Sequence, residues 1–109
     1  MSALRHIGPC TLYLGDALDI LPSLRGQADL VVTDPPYRLT SGGNTAGAMG
    51  GKMSSEVYDN TGLLMDVVKW QDIGGPIYRA LGPNGDAYVM CEDKNLFAAH
   101  GGFLGAGFK

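Results

Sequence analysis

The chain has 109 residues and a net charge of −3, with 45% hydrophobic and 17% charged residues. That length allows one small domain and not two, and the balance suits a packed core rather than a disordered segment. No apolar run approaches the ~20 residues a membrane span needs, and lysines and arginines are scattered singly, so no basic patch exists to grip a phosphate backbone.

The opening stretch "MSALRHIGPC" lacks the apolar centre of a signal peptide, which predicts a cytoplasmic protein. "CTLYL" (10–14) has the residue types of a short strand, and Gly15-Asp16 turns after it. Leu18, Leu21 and Leu24 recur about three apart, one face of a helix capped by Asp16, which Pro22 shortens or breaks. "ADLVVT" (28–33) is a compact β-branched run, typical of a strand covered on both faces. Strand, helix and strand within about thirty residues predict a βαβ unit with parallel strands.

Residues 38–60 hold five glycines and almost no periodicity, which predicts a mobile loop. "LLMDVVKWQDI" (63–73) has helical spacing, with Leu64, Val67, Val68 and Trp70 near one face. Gly74-Gly75-Pro76 should break it, with Pro76 opening a second helix, "PIYRAL". Gly82-Pro83 and Asn84-Gly85 turn the chain into a third strand, "DAYVMC" (86–91). "DKNLFAAHGGFLGAG" (93–107) reads as a helix that loosens through its glycines. Cys10 and Cys91 are far apart without CxxC spacing, so reduced, partly buried thiols are expected and no zinc or other metal site. His6 and His100 are isolated and read as structural or surface residues.

The chemically pointed segment is "TDPPY". A residue at the carboxyl end of a parallel strand lies where α/β proteins bind ligands, and Asp34 occupies that place. Pro35 and Pro36 fix their own φ angles and restrict their predecessors, so the segment is extended with little entropy left to lose. Asp34 and a proline carbonyl supply two acceptors, Tyr37 a flat face, and Arg38 a neighbouring positive charge. Two acceptors beside an aromatic face match an exocyclic amino group on a planar base. Hydrogen bonds from its two N–H groups would draw the nitrogen toward a tetrahedral shape and stabilise charge growing on it as it attacks an electrophilic methyl. The plain alternative is a rigid strand-to-loop junction. The strand ahead of the motif favours the functional reading.

"GDALDILPSLRGQADLVVTDPPY" resembles the amino-terminal part of S-adenosylmethionine-dependent DNA amino-methyltransferases, which make N6-methyladenine or N4-methylcytosine. The likeness is to the subgroup whose catalytic motif precedes its cofactor motif, and it continues through "IYRALGPNGDAYVMCEDKNLF". The resemblance implies a partial Rossmann-like, three-layer α/β fold, a single incomplete methyltransferase domain over 1–109, with mainly parallel strands at about 10–14, 28–33 and 86–91. It implies Asp34 as the catalytic acid, Pro35 or Pro36 as the carbonyl acceptor, and Tyr37 stacked on a base flipped out of the duplex. S-adenosylmethionine would lie near Asp16, Asp34 and Pro35, with Asp16 near its adenine; the alternative for Asp16 is a helix cap.

The subgroup also carries an FxGxG loop after another strand. "FLGAG" (103–107) fits the letters but has no preceding strand and no helix to open, so Gly105 and Gly107 are expected to end a helix, with Phe108 starting a strand. The three strands resemble the family's third, fourth and fifth, and the two that normally lie between the third and fourth are not represented. "CTLYL" must then pair with "DLVVT", borrow strands from another chain or a second copy, or leave edges exposed. DNA is the expected substrate; methylation of RNA bases, or a non-catalytic remnant binding DNA or a partner chain, are the competing readings.

Overall fold

In the computed structural model, which describes residues 3–37 and 67–109, two short sheets and two eleven-residue helices form a mixed α/β arrangement. Strands β1 (Ala3–Ile7) and β2 (Cys10–Leu14) form an antiparallel hairpin, with Ala3 opposite Leu14 and Ile7 opposite Cys10. Gly8 takes φ 57°, the left-handed backbone that a two-residue hairpin connection requires and glycine supplies without strain. All ten strand residues are exposed.

This hairpin corrects one expectation and adds a strand that the sequence reading did not identify. "ALRHI" is a strand, and "CTLYL" pairs with it rather than standing parallel in a βαβ unit with 28–33. A partner reached across two residues costs far less loop-closure entropy than one reached through a crossover.

Asp16 ends the hairpin and caps α1 (Ala17–Ile20), its carboxylate accepting from the Leu18 amide at 2.8 Å. The helix tightens at once into a 3-10 turn, Leu21–Leu24, with Pro22 at its start. Proline's missing N–H ends the α-helical ladder there, so the helix is short, as the sequence predicts.

Strand β3 (Ala28–Thr33) lies parallel to β4 (Leu81–Val89). Ala28 faces Leu81 while Leu30 faces Asp86, so residues 82–85 bulge out beside a single residue of β3. Beyond Asp86 the register is regular through Thr33 and Val89, and the Met90 amide extends it to the Thr33 carbonyl at 2.9 Å. The strand expected at 86–91 is thus observed at 86–89, as the regular half of a longer one that runs from Leu81 and ends at Val89.

Helix α2 (Trp70–Ala80) runs through Gly74, Gly75 and Pro76 without a break. The expected interruption fails, and Gly74 serves packing instead. A Cβ on Gly74 would sit 2.8 Å from the Gly102 carbonyl oxygen, and one on Gly102 would sit 2.7 Å from the Trp70 backbone. Helix α3 (Leu96–Ala106) therefore meets α2 backbone to backbone. It stays helical through Gly101 and Gly102 and ends at Gly107, with φ 120°. "FLGAG" is the last turn of this helix and its cap, not a strand-borne loop. Phe108 starts no strand; its ring folds back onto Tyr78 (5.2 Å between centroids) and Phe103 (5.5 Å).

Trp70, Ile73, Ile77, Leu81 and Ala99 form the buried core, and Val31, Ala87 and Val89 pack on it from the inner face of β3–β4. On the opposite face Leu30 (54% exposed), Val32 (61%), Tyr88 (65%) and Met90 (54%) stand uncovered. The strand expected at 28–33 to be covered on both faces is thus covered on one only. Among the described residues, no helix is long and apolar enough to cross a membrane.

Candidate functional site

The carboxyl end of β3 delivers Asp34, Pro35 and Pro36 into a cleft of about 580 Å³. Its apolar wall comes from the inner side of the fold: Leu18 and Leu21 after β2, Val31 on β3, and Ile73 and Ile77 on α2. Around them stand Asp16, Asp34, Asp72 and Lys69, three carboxylates against one ammonium. A concave, mostly apolar pocket of this size with a few converging polar groups is the usual form of a small-molecule site.

Asp16 and Asp34 are eighteen positions apart in the chain, yet both line this cleft, as do Pro35 and Pro36. The sequence reading placed all four in one site, Asp16 through its likeness to a cofactor-side residue. One Asp16 oxygen is committed to the Leu18 amide, so capping is a real part of its role. Asp34 is exposed, and no described residue donates to its carboxylate. Cys10 is exposed and Cys91 half-buried, both as free thiols, so Cys10 lies further out than expected.

The two prolines separate in function. The Pro36 carbonyl accepts from the Val68 amide at 2.6 Å, while no described donor reaches the Pro35 carbonyl. Among the described residues, Pro35 therefore offers the open oxygen of the two candidate acceptors.

Tyr37 does not line the cleft with them. Its half-buried ring lies against the indole of Trp70, 5.6 Å between centroids with planes at 31°. Arg38, expected as a neighbouring positive charge, and the loop expected at 38–60 fall outside the described residues, as does Leu64.

Lys69 and Asp72 escaped the sequence reading. They open α2 three positions apart and so share one side of its first turn, facing the cleft. Their signal was a helix start at residue 70, which the apolar spacing from Leu63 obscured. Pro76 has no N–H to offer the Asp72 carbonyl four residues earlier, so that oxygen lacks its helical partner from position 76.

An S-adenosylmethionine-sized ligand is compatible with this donor set: an apolar wall for a flat ring, and open carboxylates for a cationic group. No protein-family model, curated protein or solved structure matches the chain.

Proposed function

We propose that the chain carries the amine-activating part of a cytoplasmic, S-adenosylmethionine-dependent DNA amino-methyltransferase, acting on the exocyclic amine of adenine or cytosine. The observation that carries the reading is the meeting of Asp34, Pro35 and Asp16 in one apolar-walled cleft at the end of a parallel strand.

On this reading the target amine donates one hydrogen to the Asp34 carboxylate and the other to the Pro35 carbonyl. Both bonds strengthen as positive charge grows on nitrogen, so they act most in the transition state. The proton leaves late, to Asp34 or to water. The resemblance gives Tyr37 the ring of the flipped base, but its own ring packs against Trp70 and does not line the cleft that holds Asp34 and Pro35. S-adenosylmethionine supplies the electrophilic methyl, and Asp16, Asp34 and Pro35 are the residues that would hold it.

The β3–β4 pair would be one flank of a Rossmann-like sheet. Its open apolar face, and the edge of β3 that no described strand pairs with, favour completion by another chain or a second copy of this one. The net charge of −3 assigns the electrostatic hold on DNA to that partner as well. Since "FLGAG" is helical, no glycine loop among the described residues approaches a cofactor, and affinity of the chain alone should be weak.

Calorimetry with S-adenosylmethionine tests the half-site; binding as tight as a complete enzyme's would sink it. In a complex reconstituted with a chain bearing the strand and FxGxG loop, Asp34→Ala should lower methyl transfer at least ~100-fold. Retained activity would rule out the amine mechanism.

A further inference from the structure

Lys69 is the one cation among the described residues that line the cleft, and it sits where a helix gains nothing from it. It precedes α2 in extended backbone, a place where Ser, Thr, Asp or Asn ordinarily accepts an amide hydrogen bond. Lysine has no acceptor to offer, and its side chain makes no capping bond. Its charge also adds to the positive end of the helix, which carboxylates stabilise and ammonium groups do not. A residue that breaks a local rule without a structural return is a candidate for function. Asp72, three residues on, shares that side of the first turn and lines the same cleft. No ion pair or side-chain hydrogen bond joins Lys69 or Asp72 to a described residue, each other included. Opposite charges held side by side and left unpaired match a ligand that carries an ammonium and a carboxylate on one carbon.

We propose that Lys69 and Asp72 form the subsite for the amino-acid end of the methyl donor, Lys69 binding its α-carboxylate and Asp72 its α-ammonium. This rests on the methyltransferase reading, which supplies the ligand. In S-adenosylmethionine two methylene groups separate the α-carbon from the sulfonium. A methyl presented to an amine at Asp34 and Pro35 therefore needs its amino-acid subsite close by. The Val68 amide, bonded to the Pro36 carbonyl at 2.6 Å, brings the next residue, Lys69, to that neighbourhood. The apolar wall of Leu18 and Leu21 is left for the adenosyl group. The wall would give affinity for any adenosyl thioether, and the charge pair would select one that bears an amino acid.

S-adenosylhomocysteine and methylthioadenosine share an adenosyl thioether and differ in the amino-acid end, so the two isolate the subsite without any substitution. In NMR titrations of the isotope-labelled full chain, both should move the amide signals of Leu18 and Leu21. S-adenosylhomocysteine and S-adenosylmethionine alone should also move those of Lys69 and Asp72. Lys69→Met should weaken binding of these two about tenfold and leave methylthioadenosine unchanged, and Lys69→Arg should restore most of the loss. Lys69 is exposed, so both variants should melt near wild type.

S-adenosylhomocysteine binding the wild-type chain no more tightly than methylthioadenosine overturns the subsite, as does undiminished S-adenosylmethionine binding by a folded Lys69→Met chain. Either result leaves the cleft a cofactor site. Absence of binding by all three ligands overturns the methyltransferase reading, and the subsite with it.

Discussion

The Val68 amide and the Pro36 carbonyl meet at 2.6 Å, tying the segment before α2 to the end of β3. Neither residue lies in a helix or strand, so this bond joins two irregular stretches, 34–37 and 67–69. It also divides the two proline carbonyls, one engaged and one open. Hydrogen exchange should find the Val68 amide protected despite its irregular surroundings. Exchange at the rate of a free amide would mean the tie does not form.

Asp34 contributes chemistry rather than stability. It is exposed and no described residue donates to it, so Asp34→Ala should change stability by no more than about 0.5 kcal/mol. Thermal melts of the chain alone measure this. A large loss would give Asp34 a structural role and weaken its assignment as the amine acceptor.

Asp16 has two roles that substitution can separate. Asp16→Ala deletes the bond to the Leu18 amide and should cost about 0.5–2 kcal/mol, whereas Asp16→Ser keeps a capping oxygen and most of that stability. If Asp16 also faces the cofactor, the serine variant should melt near wild type yet lose calorimetric heat with S-adenosylmethionine. Unchanged heat would leave it a cap alone.

Neighbouring glycines of α3 should respond oppositely to alanine. At Gly102 a Cβ would meet the Trp70 carbonyl carbon and oxygen at 2.7 Å, so Gly102→Ala should destabilise by about 1–3 kcal/mol. At Gly101 a Cβ meets nothing within 4 Å, and Gly101→Ala should stabilise by about 0.5–1 kcal/mol through better helix propensity. Urea midpoints decide both. Equal shifts would mean the helices do not cross at Gly74 and Gly102.

Removing core volume should be costly. Ile77→Ala leaves a void between α2 and the sheet, for a loss of about 2–5 kcal/mol. In a domain this small that is much of the total stability, so the variant should be largely unfolded by circular dichroism.

These expectations show where the sequence was informative. "ADLVVT" read as a strand because its β-branched residues are what a packed parallel strand uses, and Asp34 followed at its end. Asp16 read as a cap because an acid after a turn and before an apolar repeat does that work locally. Gly74-Gly75-Pro76 misled because a packing glycine and a breaking glycine look alike until the opposing helix is known. "ALRHI" gave little signal, with its polar residues and all its positions exposed. The link from Tyr37 through Trp70 to Asn95 joins residues 37, 70 and 95, and no local pattern encodes contacts at that separation.

The bulge at residues 82–85 concentrates irregularity at the amino-terminal end of the β3–β4 pair, away from Asp34. Slack placed there is mechanically silent: the four regular pairs from Leu30–Asp86 to Thr33–Val89 isolate the cleft from it. The exposed tip, Pro83-Asn84, is therefore the place to lengthen the chain, with a spacer, a label or a tether to another domain, without disturbing the acid at the other end.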